Sequence, residues 1–344
     1  MSRQMWNSDA MRSPSATRRS LRLVFALWGA FALCGCVSTE GIHIDPQRDL
    51  AERSGEVATL LEWPTASRIA IAAWLSLPWA GHASIGQPFD LIARAEALAP
   101  EQPEIVLIHV GMCIRMNCPE EEALWERLMA VDPDNGSWWM WDLARARKSG
   151  SDAAVTDMVL KISASAKIST YWNELTAMAF DALESTGPSN GSRPSDHDRA
   201  RRVAQAYGIA AAIPTPPLQP VGKSCQRDQL EIDNRRAACV ALLALMGRGN
   251  TLLEQGLALN IQLRWWPDGS PERDDLRARR RRFDYLRTTA EQFHWWREDR
   301  DMIMLIDAAR RMPREEDVLL ELLRSHGLPL VPPTNWVDPF EARN

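Results

Sequence analysis

From Glu56 onward the chain carries short apolar stripes at three- and four-residue spacing, parted by prolines, glycines and polar turns. Val57, Leu60 and Leu61 share one face of a helix that Trp63-Pro64 breaks. Ile69, Ile71, Trp74 and Leu77 mark a second over Ser67–Leu77, closed by Pro78 and the segment 81–87. Pro88–Leu98 repeats the pattern with Leu91, Ile92, Ala95 and Leu98. Pro103 suits the first position of a helix reaching about Met116, apolar on almost every side, as burial requires. Pro119 opens the next, with Glu120, Glu121 and Glu122 at the positive end of its dipole and Leu124, Trp125, Leu128 and Met129 on its apolar face. Asp132-Pro133-Asp134-Asn135 stops it. Ser137–Lys148 follows. Ser151 or Asp152 then caps a helix with Val155, Met158, Val159 and Ile162 in register, and Thr170–Leu183 reads the same way.

Thr186–Asp198 is a break rich in Gly, Pro, Ser and charge. A helix over Arg199–Ala212 precedes a stiff connector with Pro214, Pro216, Pro217 and Pro220. Leu230–Met246 and Thr251–Trp266 pattern as a hairpin turned at Gly247-Arg248-Gly249. Ser270-Pro271-Glu272 is a strong helix start, and that helix extends to about Trp296. Asp301–Met312 and Pro313 to about Ser325 complete the set, before a proline-punctuated tail over Leu328–Asn344. No strand-like alternation stands out, so the expected fold class is all-α.

Short amphipathic helices joined by short turns call for a period. Pro100 and Pro133 close equivalent helices 33 residues apart, and Ile92 and Trp125 each stand eight residues before them. The second closing turn reads Asp132-Pro133-Asp134-Asn135. This resembles the tetratricopeptide repeat, with its helix pairs, a large apolar residue in the second helix and a closing D-P-x-N. The resemblance spans about Gln87–Glu184 as three degenerate units. Pro88 and Glu121 stand where that repeat has a small residue, and no proline closes the third unit near Ala166. It implies a helical-hairpin array, a solenoid of the tetratricopeptide type, followed by a second helical region. The expected layout is signal segment 1–35, tether 36–55, repeats 56–185, a linker with one helix 186–222, a C-terminal helical domain 223–326 and a tail 327–344.

The N-terminal segment sets the compartment. Arg18, Arg19 and Arg22 precede an apolar run over Leu23–Leu33, too short to span a bilayer and of signal-peptide length. It closes on Leu33-Cys34-Gly35-Cys36, which resembles the bacterial lipoprotein box. That resemblance implies cleavage before Cys36 and lipidation of its thiol, with a plain secretory signal or an uncleaved anchor as the alternatives. Val37, where an Asp would imply retention in the inner membrane, implies an outer-membrane protein facing the periplasm, held by its lipid alone.

Removal of residues 1–35 takes five arginines and one aspartate, leaving 35 basic and 44 acidic side chains. An exported acidic chain argues against nucleic acid as a partner. Cys113, Cys118, Cys225 and Cys239 remain after export, and four cysteines in an oxidising compartment predict two disulfides. Three pairings exist; the simplest is local, Cys113–Cys118 with Cys225–Cys239. C-x4-C without a histidine at ligand spacing is not a zinc pattern.

Catalytic signals are weak. Gly187-Pro188-Ser189-Asn190-Gly191 matches a nucleophile elbow as text but falls in a linker with no strand before it. Glu291 and His294 have the spacing of a bundle metal site that lacks its second copy. No catalytic residue, metal ligand set or cofactor motif emerges. His109, on an apolar helix, reads as a hydrogen-bonded core residue. Two groups suggest partner binding instead. Within Arg277, Arg279, Arg280, Arg281 and Arg282, the four consecutive residues cover about 300° of a helix, so some pair with nearby acids. Arg277, Arg280 and Arg281 are the candidates for an acidic partner or lipid phosphate. Trp138 and Trp141 lie about 60° apart on a helix and Trp139 on the far side, so core packing takes at least two and one is left to face a groove. The expected function is a non-catalytic scaffold holding another envelope protein; the alternative is an envelope enzyme acting on peptidoglycan.

Overall fold

The computed structural model describes residues 46–78, 84–186, 194–232, 234–292 and 298–337. Cys36 with the whole signal segment, Gly187–Gly191 and His294 lie outside these residues. The described chain is all-α: fifteen α-helices and one 3-10 turn, with a single isolated bridge between Asn135 and Lys167 and no strand.

The first seven helices follow the sequence pattern closely except at the start of α1. They are α1 (Pro46–Glu62), α2 (Ala66–Leu75), α3 (Pro88–Leu98), α4 (Pro103–Met116), α5 (Glu121–Val131), α6 (Gly136–Ser149) and α7 (Asp152–Ser163), each packed on its neighbour. Their ends are set by local chemistry. Thr65, Asn135 and Ser151 cap α2, α6 and α7 through side-chain oxygens, prolines start α3 and α4, and Asn117 at φ 52° ends α4. Pro119 and Glu120 remain in the turn before α5 rather than opening it. Helices α3 and α5 are both 11 residues long and α4 and α6 both 14. Every boundary in the second pair falls 33 residues after its counterpart, at 88 and 121, 98 and 131, 103 and 136, 116 and 149.

Helix α1 begins ten residues before the expected start at Glu56, inside the expected tether. A long-range contact accounts for its order. Arg53 Nη2 donates to the carbonyls of Leu75 (2.6 Å) and Leu77 (3.0 Å), satisfying acceptors left open at the end of α2.

The chain then turns back. Helix α8 (Trp172–Glu184) packs on α1 and α2 and on α9 (Asp196–Ala212), while α7 packs on a helix well over a hundred residues from α1, α11 (Arg235–Met246). The segment expected as a linker therefore contributes a core element. Helix α9 buries Ala200, Val203, Ala206 and Ile209 between α8 and α14 (Asp299–Ala309). The proline connector holds the short α10 (Gln219–Ser224) and a 3-10 turn, Arg227–Glu231. Helices α12 (Leu252–Leu263), α13 (Pro271–Gln292) and α15 (Glu315–Ser325) complete the second half. Both expected helical regions belong to one compact unit over residues 45–344.

Two apolar cores result. The larger joins Leu60, Ile92, Ile108, Trp138, Phe180, Val203, Ile306 and Leu322; the smaller joins Met140, Val159, Ile162, Val221, Leu242 and Met246. Helix α6 has one face in each. Gly136 at its start is required by close approach: a Cβ there would stand 2.7 Å from Ile168 Cδ1 and 3.0 Å from Ile162 Cγ2. The smaller core is tied across α7 and α11 by the fully buried Arg235, which donates to Thr156 Oγ1 (2.7 Å) and to the Asp152 carbonyl (2.8 Å).

The start of α12 is a buried polar corner. Thr251 and Glu254 form a reciprocal capping box, with Glu254 Oε2 accepting from Thr251 N at 3.1 Å. Glu315 Oε2 accepts from Leu252 N at 2.8 Å, Asn250 O accepts from Glu315 N at 2.8 Å, and Asn250 Oδ1 accepts from Thr170 N at 3.1 Å. Three elements thus meet on one helix N-terminus. Burial pushes Glu254 up to about 8, against the hydrogen bonds at Thr251 and with a further push from Glu315. Its folded-state pKa lies above the ordinary 4.5, so ionising it costs stability above pH about 8, and that cost fades as pH falls toward 4.5. Thermal unfolding should therefore show the Glu254→Gln protein more stable than wild type at pH 9 and close to it at pH 5. Parallel curves for the two proteins across that range would refute the assignment.

Candidate interaction site

The Asp132-Pro133-Asp134-Asn135 turn does more than end α5. Asp132, 8% exposed, accepts on Oδ2 from Asn135 Nδ2 (2.9 Å), Trp138 Nε1 (3.2 Å) and Tyr171 Oη (2.7 Å). Its Oδ1 lies 3.0 Å from Lys167 Nζ, which also donates to Tyr171 Oη at 2.8 Å. Asn135 links the same turn to the strand-like residues before α8: its Nδ2 donates to Ser169 O (2.8 Å) and its Oδ1 accepts from Ser169 N (3.0 Å). Burial favours the neutral acid, yet hydrogen bonds from Tyr171, Asn135 and Lys167 outweigh it and hold Asp132 below its ordinary value. Tyr171 is pushed far up, by burial first and then by Asp132, so it stays a donor. It sits at φ 56°, directly before α8, and this left-handed step aims the helix back toward α2.

Two further carboxyls share this region. Glu104 on the first turn of α4 and Glu174 on the first turn of α8 are both half-buried, and both lie in the field of Lys167. Burial raises each of them, and Glu104 raises Glu174 further. Glu174 Oε2 is buried without a hydrogen-bond partner among the described residues, as is Trp141 Nε1. One lysine thus faces three acids, so the region suits a ligand that brings a cation or hydrogen-bond donors.

The predicted aromatic residues divide between the cores as the helical wheel requires. Trp138 is buried between Trp125 (6.3 Å between ring centroids) and Tyr171 (6.2 Å). Trp141 is half-buried against Trp125 at 5.0 Å. Trp139 points to the smaller core, with Lys161 Nζ 3.5 Å over its ring. The arginines do not converge. Arg277 pairs with Asp268 and Asp274, and Arg280 with Asp284 (2.5 Å) and Asn260. Arg281 instead reaches the C-terminal tail. His109 Nδ1 lies 3.0 Å from Glu96 Oε1, and Glu96 also takes Arg127 at 2.6 Å.

Two cysteine pairs stand at disulfide distance, Cys113 with Cys118 (Cα–Cα 4.9 Å) and Cys225 with Cys239 (5.6 Å). The sulfurs of the first pair and a Glu120 oxygen are the single trio of possible metal ligands gathered within 4.8 Å among the described residues. Sulfurs joined to each other do not offer two thiolates to an ion.

No family model, curated protein or solved structure matches this chain.

Nothing in the sequence singles out the acidic pair, Lys167 or Tyr171. Glu104 is 70 positions from Glu174, and nothing local marks either. The DPDN turn is the one local signal in the sequence, and it marks the end of α5 rather than the node built on it. Replacing Asp132 by Ala leaves the Tyr171 hydroxyl and the Trp138 indole N–H without their acceptor and Lys167 without its counter-charge, and should cost about 3 kcal/mol in denaturant unfolding. Asp132→Asn, which keeps an acceptor, should cost less. Equal losses from both would show that charge, not hydrogen bonding, carries the node.

Proposed function

We propose that this chain is an exported lipoprotein, anchored in the outer membrane through Cys36, whose periplasm-facing helical array holds another envelope protein. The 33-residue recurrence of helix boundaries from Pro88 to Ser149 carries the reading, because four helices of matching length repeat with the same spacing as Pro100 and Pro133, which supports the tetratricopeptide resemblance. The DPDN turn at the repeat boundary, with its carboxylate bonded into the following helices, adds to it. In such an array the first helices of successive pairs line the inner face; α4 and α6 take that place here, and α8, which turns back onto α2, brings its first turn into the same electrostatic neighbourhood. They bear Glu104, Trp141 and Glu174. The partner segment is accordingly one with a cationic or donor-rich side chain set beside an apolar one. No helix among the described residues is long and apolar enough to cross a membrane.

A second reading rests on the same acids. Carboxyls held above their ordinary range by burial are a pattern of general acids, so an enzyme acting on peptidoglycan would use Glu104 and Glu174. Photo-crosslinking from position 141 in intact cells separates the two. The scaffold reading expects one captured envelope protein, lost on Glu104→Gln with Glu174→Gln while the fold persists. The enzyme reading expects turnover of purified wall fragments that the same double substitution abolishes. Cys36→Ser should release the protein from the membrane fraction, and retention there would end the anchor assignment.

The periplasmic setting also implies two closed disulfides. Thiol labelling of the unfolded, unreduced protein should find none of Cys113, Cys118, Cys225 and Cys239 free. Opening Cys225–Cys239, which spans 14 residues, should cost about 3 kcal/mol.

A further inference from the structure

Residues 328–337, LPLVPPTNWV, lie along α13 in a manner that resembles a bound peptide more than a loop. Leu328, Leu330 and Trp336 pack inward on the larger core, while Pro329, Val331 and Pro333 between them face solvent. Prolines have no N–H, so from Pro329 to Pro333 only Leu330 and Val331 carry a backbone donor, and the segment presents mainly carbonyl acceptors. The protein side supplies matching donors. Tyr285 Oη donates to Pro329 O at 2.7 Å. Arg281 Nη2 donates to Pro333 O (3.1 Å), to Thr334 O (3.3 Å) and to Trp336 O. The guanidinium also lies over the Trp336 ring, 5.3 Å from its centroid, and Tyr285 meets that ring edge-on at 5.5 Å.

Donors and an aromatic ring facing an extended, donor-poor, proline-rich chain form a recurrent mode of peptide recognition. We propose that the face of α13 bearing Arg281 and Tyr285 is a docking groove for an extended proline-rich segment of a partner protein, and that residues 328–337 occupy it in cis until such a segment displaces them. Because the polar contacts go to carbonyls, they place few demands on sequence. Because Arg281 and most of the tail are exposed, the tail is held weakly enough to exchange. Its attachment at Gly327 gives it a high effective concentration, so a competitor binds the intact protein less tightly than a protein whose own tail is loosened. This groove is independent of the Glu104–Glu174 region.

The probe is a fluorescent decapeptide, LPLVPPTNWV, titrated into the full chain and into its Trp336→Ala variant. The variant should bind it about ten-fold more tightly than wild type. Adding Tyr285→Phe or Arg281→Lys to that background should weaken binding several-fold, with circular dichroism confirming an unchanged fold. Tyr285→Phe removes one donor and keeps the ring, so it stays informative if a larger change unfolds the protein. A peptide with Pro329, Pro332 and Pro333 replaced by Ala should bind several-fold less. Equal binding by wild type and the Trp336→Ala variant overturns the proposal. So does indifference to the prolines, or a full chain whose sedimentation shows a dimer that Trp336→Ala dissolves, since the occupant is then a second copy's tail.

Discussion

A buried carboxylate can remain charged only where donors replace the water it has lost, and Asp132 meets that condition with four donors drawn from three separate stretches of chain. Trp138 comes from the helix that follows it, Asn135 from its own turn, and Lys167 and Tyr171 from the approach to α8. Each of these side chains would be costly to bury alone. Together they fix where α5 ends, how α6 starts and which way α8 leaves. The left-handed Tyr171 is the step that sends α8 back onto α1 and α2, and strain at that residue is offset by its hydroxyl's place in the node.

That return decides the rest of the architecture. Once α8 lies against α2, α9 and α14 cover it and seal the larger core, while α7 is left to pack against α11 and form the smaller one. The halves are stitched by polar contacts as well as apolar ones. Arg235 crosses from α11 to α7, and Asn250 joins Thr170 to the N-terminus of α12, where Glu315 also arrives. The two surfaces proposed for binding lie beside this packing: one includes Glu104 on α4 and Glu174 on α8, which feel each other's charge, and the other is where the tail crosses α13.

Local signals were legible to the extent that they were local. Pro88, Pro103, Ser151 and Thr251 mark helix starts in the sequence and do so in the structure, whereas Asn135, legible only as part of the turn that stops α5, also caps α6. The angular argument about Trp138, Trp139 and Trp141 holds because a helix fixes side-chain directions whatever surrounds it. The arginine cluster was also readable as a surface that cannot face one way, and its members do find separate partners. Long-range contacts left no such trace. Arg53 reaching the end of α2, which brings order to residues read as a tether, and α9 becoming core instead of linker depend on residues far away in the chain.

The sequence by itself determined the helical class, most element boundaries and the 33-residue recurrence, because caps, prolines and apolar period act within one or two turns. Only the tertiary structure decided that α8 turns back, that Glu104 and Glu174 share one lysine, and that the tail lies on α13. Those outcomes depend on which distant groups exchange hydrogen bonds and exclude water from one another, and a pattern with a period of three or four residues carries no record of that.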